Sequence, residues 1–134
     1  MKVLAIDYGT KRIGLAVGDT RLGVGVPLGS LLNKGEGTLL QIAEKVKEQS
    51  VSLVLLGLPL TPKGKEGQRA KEVRGFFQKL KEVLPEGVEV LLWDERYTTL
   101  EAYRMLEGQS EKKKKELKDS LSAYAILLEY LESL

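Results

Sequence analysis

Four carboxylates stand where a folded chain of this pattern could bring acids together. Asp7 closes the apolar run Val3 to Ile6, Asp94 and Glu95 close the run that ends at Trp93, and Asp119 stands at the head of the apolar segment that ends the chain. A buried strand that ends on a carboxylate has placed a costly charge at its edge. Hard divalent cations such as Mg²⁺ are held by a few carboxylates together with substrate phosphate oxygens. Two such ions about 4 Å apart stabilise the attacking and the leaving oxygen of a phosphodiester. That chemistry needs no imidazole and no thiol, and the chain has neither: histidine and cysteine are both absent. Disulfides, zinc clusters, thiol nucleophiles, Ser-His-Asp triads and imidazole bases are therefore excluded.

Each acid also has an ordinary structural explanation. Asp7 could accept turn hydrogen bonds from Gly9 or Thr10. Asp94 and Glu95 could pair with Arg96 or open a loop, and Asp119 could interact with a helix dipole. Their joint placement favours the metal reading, with Asp94 and Glu95 both open as the second ligand.

The elements that must position these acids follow from hydrophobic periodicity. Val3 to Ile6 is a continuous apolar run, as in a central strand covered on both faces. RIGLAVGD after the turn at Gly9 and Thr10 reads as its hairpin partner, and Val24 to Leu32 as a third strand broken by glycines. From Thr38 the period becomes helical through Leu39, Ile42, Ala43 and Val46, stopping near Ser50. Val51 to Leu58 is a fourth, buried strand. The turn-rich loop Pro59 to Gly67 leads into a helix with a stripe of Ala70, Val73, Phe77, Leu80 and Leu84. Val88 to Trp93 is the fifth strand. Thr98 and Glu101 have capping-box spacing for another helix, and Leu117 to Leu131 reads as a final, buried helix. The order β-β-β-α-β-α-β-α-α predicts an α/β fold: a five-stranded mixed sheet with helices on both faces, in one domain over residues 1–134. In such sheets ligands bind beyond the carboxyl ends of the parallel strands, where Asp7, Pro59 and Asp94-Glu95 would converge.

Apolar residues make up 43% and charged residues 30%, values of a soluble globular chain, and no apolar run is long enough to cross a bilayer. The start of the chain carries no leader pattern, so the expectation is a cytoplasmic protein without membrane association. Net charge is only +2, so the placement of cations matters more than their total. Lys11 and Arg12 flank Asp7, Lys63, Lys65 and Arg69 lie in or beside the long loop, and Lys112, Lys113, Lys114 and Lys115 precede Asp119. With Arg96, they form the cationic rim that a nucleic-acid backbone would require.

The segments LAIDYGTKRIGLAVGD, GLPLTPKGKEGQRA, DERYTT and KDSLSAYAILLEYL, in that order and spacing, resemble the YqgF (RuvX) family from end to end. The resemblance implies the ribonuclease H-like fold of the RuvC Holliday junction resolvases. It implies a hydrolase of ester bonds, a nuclease that depends on Mg²⁺ or Mn²⁺. The implied task is maturation of the 5′ end of precursor 16S ribosomal RNA, in ribosome biogenesis, or resolution of Holliday junctions. Precursor rRNA or branched DNA would be the partner, and the protein a monomer or weak homodimer. Carried over residue by residue, the resemblance implies Asp7, Glu95 and Asp119 as catalytic metal ligands, with Asp94 less favoured. One departure stands out: the RuvC type carries an acid at the end of the fourth strand, where this chain reads Gly57-Leu58-Pro59-Leu60. Two other readings follow from the same residues. Asp7-Tyr8-Gly9-Thr10 also looks like the phosphate-binding turn of the actin and Hsp70 ATPases, which close a cleft between two such domains. The alternative within ribosome assembly is a non-catalytic RNA-binding module.

Overall fold

The computed structural model describes residues 1–95, 104, 107–118 and 120–134. Five strands, β1 (Lys2–Asp7), β2 (Arg12–Asp19), β3 (Val24–Leu32), β4 (Val51–Pro59) and β5 (Glu89–Glu95), form one sheet in the order β3-β2-β1-β4-β5. The first three form an antiparallel meander, while β1, β4 and β5 run parallel. Parallel neighbours need crossovers, and helices α1 (Glu36–Glu48) and α2 (Gln68–Val83) supply them. After β5 come α3 (Glu111–Lys118) and α4 (Leu121–Glu132). The expected helix at Thr98 lies outside the described residues.

Because side chains alternate along a strand, the central strands must bury two apolar faces, and they do so against different helices. Leu4 and Ile6 of β1 join Val54 and Leu56 of β4 in a core closed by Ile42 and Val46 of α1 and by Val73, Phe76 and Leu80 of α2. Val3 and Ala5, with Leu53 and Leu55, face the opposite way and meet Ala123, Ile126 and Leu127 of α4. The second face is lined by smaller residues on β1 and β2, including Ala5 and Ala16.

The sequence predicts one helix from Leu117 to Leu131, and the structure breaks it. Buried Ser120 turns back on Leu117, whose carbonyl accepts both its amide and its hydroxyl at 3.0 Å. An uninterrupted helix would give that carbonyl to the amide of residue 121, so a local serine bond ends α3 before α4 begins. The lysine run is thereby placed on α3, a separate short helix that packs beside β3. On α2 it is Phe76, not Phe77, that is buried with Ala70, Val73 and Leu80. No helix among the described residues is long and apolar enough to cross a membrane.

Candidate active site

Register brings the acids to one end of the sheet. Ile6 pairs with Leu56, and Pro59 pairs with Glu95, so β1 and β5 finish on either side of β4. Along β5, Trp93 and Glu95 share the face that α4 covers, whereas Asp94 points to the other face and is exposed. Glu95 then reaches across β4 until its carboxyl hydrogen-bonds that of Asp7. The space it crosses exists because residue 57 has no side chain: a β-carbon on Gly57 would stand 2.6 Å from Glu95 Oε2.

Two carboxyls in contact cannot both ionise cheaply. Burial raises the Asp7 carboxyl above its ordinary value, opposed by the hydrogen bond from Glu95 and by the charge of Arg69. Glu95 is pushed up to about 8, first by burial, then by the charge and hydrogen bond of Asp7; Arg69 pulls it down and Glu129 adds a further upward push. At neutral pH Glu95 therefore keeps its proton and donates it towards Asp7.

Around the pair the chain is braced. Arg69 Nη2 donates to the Tyr8 carbonyl at 2.9 Å, tying the start of α2 to the residue after Asp7. The turn beyond is closed by Asn33, whose Nδ2 donates to the Gly9 carbonyl at 2.9 Å and whose amide donates to that of Lys11 at 2.8 Å. Gly9 itself lies against the Arg12 carbonyl, where a β-carbon would collide. The Tyr8 ring packs on Phe76 with centroids 4.6 Å apart. At the far side, Trp93 Nε1 donates to Glu129 Oε2 at 3.0 Å, and its ring meets Tyr130 edge-on. The loop between β4 and α2 folds on itself, with the Thr61 amide on the Lys65 carbonyl at 2.9 Å and Arg74 bidentate on Glu66 at 2.6 and 2.8 Å.

The cations fall into three groups. Lys11, Arg12, Lys63, Lys65, Lys112 and Lys113 are exposed, and Lys114 is within 3.6 Å of Glu111. Arg69 is exposed as well, but one of its donors is committed to the Tyr8 carbonyl and its charge acts on the carboxyl pair. Arg96, Asp119 and the Lys115 side chain lie outside the described residues. Sequence reasoning missed Glu129, Asn33 and Gly57. Glu129 sits on a helix read only for its apolar residues, and Asn33 carried a signal only as the sole asparagine of the chain. A cleft of about 560 Å³ opens beside Tyr8 on the α1 and α2 face; Glu36, Glu72 and Glu82 outnumber Lys79 there, which suits a polyanion poorly.

Over residues 1–133 the sequence matches the profile of the family described as "RuvX: Holliday junction resolvase". The chain belongs to the RuvX family. A Sulfurihydrogenibium sp. relative, named "Putative pre-16S rRNA nuclease", is 40% identical over 99% of this chain and 91% of its own. RuvX relatives of the same name from Endomicrobium trichonymphae and Bacillus cytotoxicus are 39% and 33% identical, over 98% and 99% of this chain and 95% and 99% of their own. Among solved structures, the fowlpox virus Holliday junction resolvase superposes with a TM-score of 0.61 at 13% identity, each chain covered in full. The T. thermophilus RuvC bound to a Holliday junction superposes with a TM-score of 0.57 at 16% identity, over 99% of this chain and 94% of that one. The RuvX chain thus has the ribonuclease H-like fold that its sequence resemblance implies.

The donor set also bears on the implied metal. Asp7 and Glu95 offer hard oxygen ligands, half-buried and short of positive charge, which is why they retain a proton. A divalent cation fits that deficit. Among the described residues no group of three acids is placed to hold a metal ion, and Asp119, the third expected ligand, lies outside them.

Proposed function

We propose that this chain is a metal-dependent nuclease, a single domain over residues 1–134, that hydrolyses phosphodiester bonds of nucleic acid. The observation that carries the proposal is the contact of the Asp7 and Glu95 carboxyls, brought together across β4 at the carboxyl edge of the sheet. A buried acid pair of this kind costs folding free energy, and its use is to receive a cation. Asp7, Glu95 and Asp119 are the ligands for Mg²⁺ or Mn²⁺ in this reading, with Asp94 turned away on the opposite face. Bound there, the cation supplies Lewis-acid activation of water and neutralises charge on the phosphate.

The chain's own residues do the rest. Asp7 and Glu95 give up their shared proton when the site fills. Arg69 fixes the Tyr8 carbonyl and so the direction in which Asp7 leaves β1. Lys11, Arg12, Lys63, Lys65 and the lysines of α3 attract the phosphate backbone, whose register would be set by phosphate contacts rather than by bases. Arg96 belongs to this group by its place after Glu95. The names of the relatives support a precursor 16S rRNA as substrate, at its 5′ end, in ribosome biogenesis in the cytoplasm; the fold's likeness to junction resolvases makes branched DNA the second substrate to test. The protein would act as a monomer or weak homodimer.

The test is a cleavage assay of precursor 16S rRNA ends beside a synthetic four-way junction, with Mg²⁺ or Mn²⁺, using wild type and Asp7→Asn. Metal-dependent cleavage by wild type that Asp7→Asn loses supports the proposal. Binding of RNA without cleavage, unchanged in Asp7→Asn, would establish a non-catalytic assembly module.

A further inference from the structure

We infer that Gly57 is a positioning residue, and that its missing side chain is the space in which Glu95 holds its carboxyl against Asp7. The inference rests on the reading of Glu95 as a cation ligand. Gly57 is buried in β4, the strand that separates β1 from β5, and pairs with Trp93 while Glu95 pairs with Pro59 two residues on. To reach Asp7, the Glu95 side chain leans back over the Gly57 backbone. A β-carbon at position 57 would meet Glu95 Oε2 at 2.6 Å and Cδ at 3.1 Å, where ordinary contact begins at 3.4 Å. Something must then yield by several tenths of an ångström.

The backbone of β4 is the part that cannot. It is paired on both sides, Leu56 with Ile6 and Gly57 with Trp93, in the middle of the sheet. Ile126 of α4 crowds the same point, its Cδ1 also 2.6 Å from the position of that β-carbon, so an added methyl group would press on both side chains at once. Trp93 and Glu129 close the side away from Asp7 through their 3.0 Å hydrogen bond. A methyl group at position 57 therefore displaces the Glu95 carboxyl from Asp7, although Gly57 has no side chain of its own to offer a cation. Glycine is required here for volume, not for its backbone freedom, because residue 57 lies in regular strand.

Two readouts test this in the full-length chain. The first is the metal-free crystal structure of Gly57→Ala, in which we expect the Glu95 to Asp7 hydrogen bond to be lost; its retention would overturn the inference. The second is Mn²⁺ affinity by water-proton relaxation, measured in Gly57→Ala and in Gly57→Ala/Ile126→Val, where the shorter side chain relieves crowding against α4 and protects the fold. A loss of ten-fold or more in both variants is the expected result. Wild-type affinity in either variant would mean that the position matters only for packing, or not at all, and would overturn it. Should wild type itself bind no Mn²⁺, the nuclease reading fails, and the crystal structure still decides whether Gly57 positions Glu95.

Discussion

Asp7 and Glu95 come from strands that are not neighbours, yet their carboxyls share a hydrogen bond across β4. The contact is unfavourable for the folded chain by itself, since burial and mutual repulsion keep a proton on a pair that would be fully ionised in water at neutral pH. Functional sites commonly hold such locally destabilising arrangements, and the balance is restored when a ligand of the right charge arrives.

Neutralising either acid should separate stability from activity. In Asp7→Asn or Glu95→Gln the repulsion disappears, and the metal-free protein should gain about 1 kcal/mol, a rise in Tm of roughly 3 to 6 °C. Cleavage should fall about 100-fold or more, since charge stabilisation by a bound cation is worth several kcal/mol. Asp94→Asn should leave cleavage within about three-fold of wild type. Differential scanning calorimetry beside the cleavage assay reads both effects.

The sign of the pH dependence follows from the direction of the shifts. Glu95 ionises near 4.5 in the unfolded chain and about 8 in the fold, so the folded state binds its proton more tightly. Its contribution to stability is full below about 4.5 and is lost as pH rises through about 8. The Tm of metal-free protein should therefore decline between these values more steeply in wild type than in Glu95→Gln. A parallel pair of curves would contradict the shared proton.

Arg69 lowers both carboxyls and anchors the Tyr8 carbonyl at 2.9 Å. Removing it in Arg69→Ala should raise the Glu95 ionisation further, observable as a shifted carboxyl titration in ¹³C NMR. The same variant should lose cleavage through misplacement of Asp7, while Arg69→Lys should restore the titration but not the full rate, because an ammonium lacks the guanidinium fork.

Nucleic-acid affinity should depend steeply on salt. If three or more of the exposed lysines neutralise phosphates, affinity should drop about ten-fold or more between 50 and 200 mM salt. Replacing Lys63 and Lys65 with alanine should flatten that slope, as read by fluorescence anisotropy.

Much of this fold could be read from residue order alone. Val3 to Ile6 and Val51 to Leu58 are apolar without alternation because both faces of their strands are covered, and that pattern predicts a central parallel pair. The break at Ser120 could not be read, since it depends on one hydroxyl choosing the Leu117 carbonyl over solvent, a choice that burial makes. The site divides in the same way. Asp7 is conspicuous because a carboxylate ends an apolar run. The local residues leave Asp94 and Glu95 as equals; the family resemblance favours Glu95, and in the structure strand alternation, the cover of α4 and the gap at Gly57 bring Glu95 to Asp7. Glu129 and Asn33 act through partners 36 and 24 residues away, distances over which local pattern carries no information.

The central claim is that Asp7 and Glu95 together receive a divalent cation. Anomalous diffraction from crystals soaked in Mn²⁺ tests it most directly, with Asp7→Asn crystals as the reference. The account predicts a wild-type peak within ligand distance of both carboxyls, absent from Asp7→Asn. Wild-type crystals without a peak at that place, and with Asp7 and Glu95 still hydrogen-bonded to each other at saturating Mn²⁺, would contradict it.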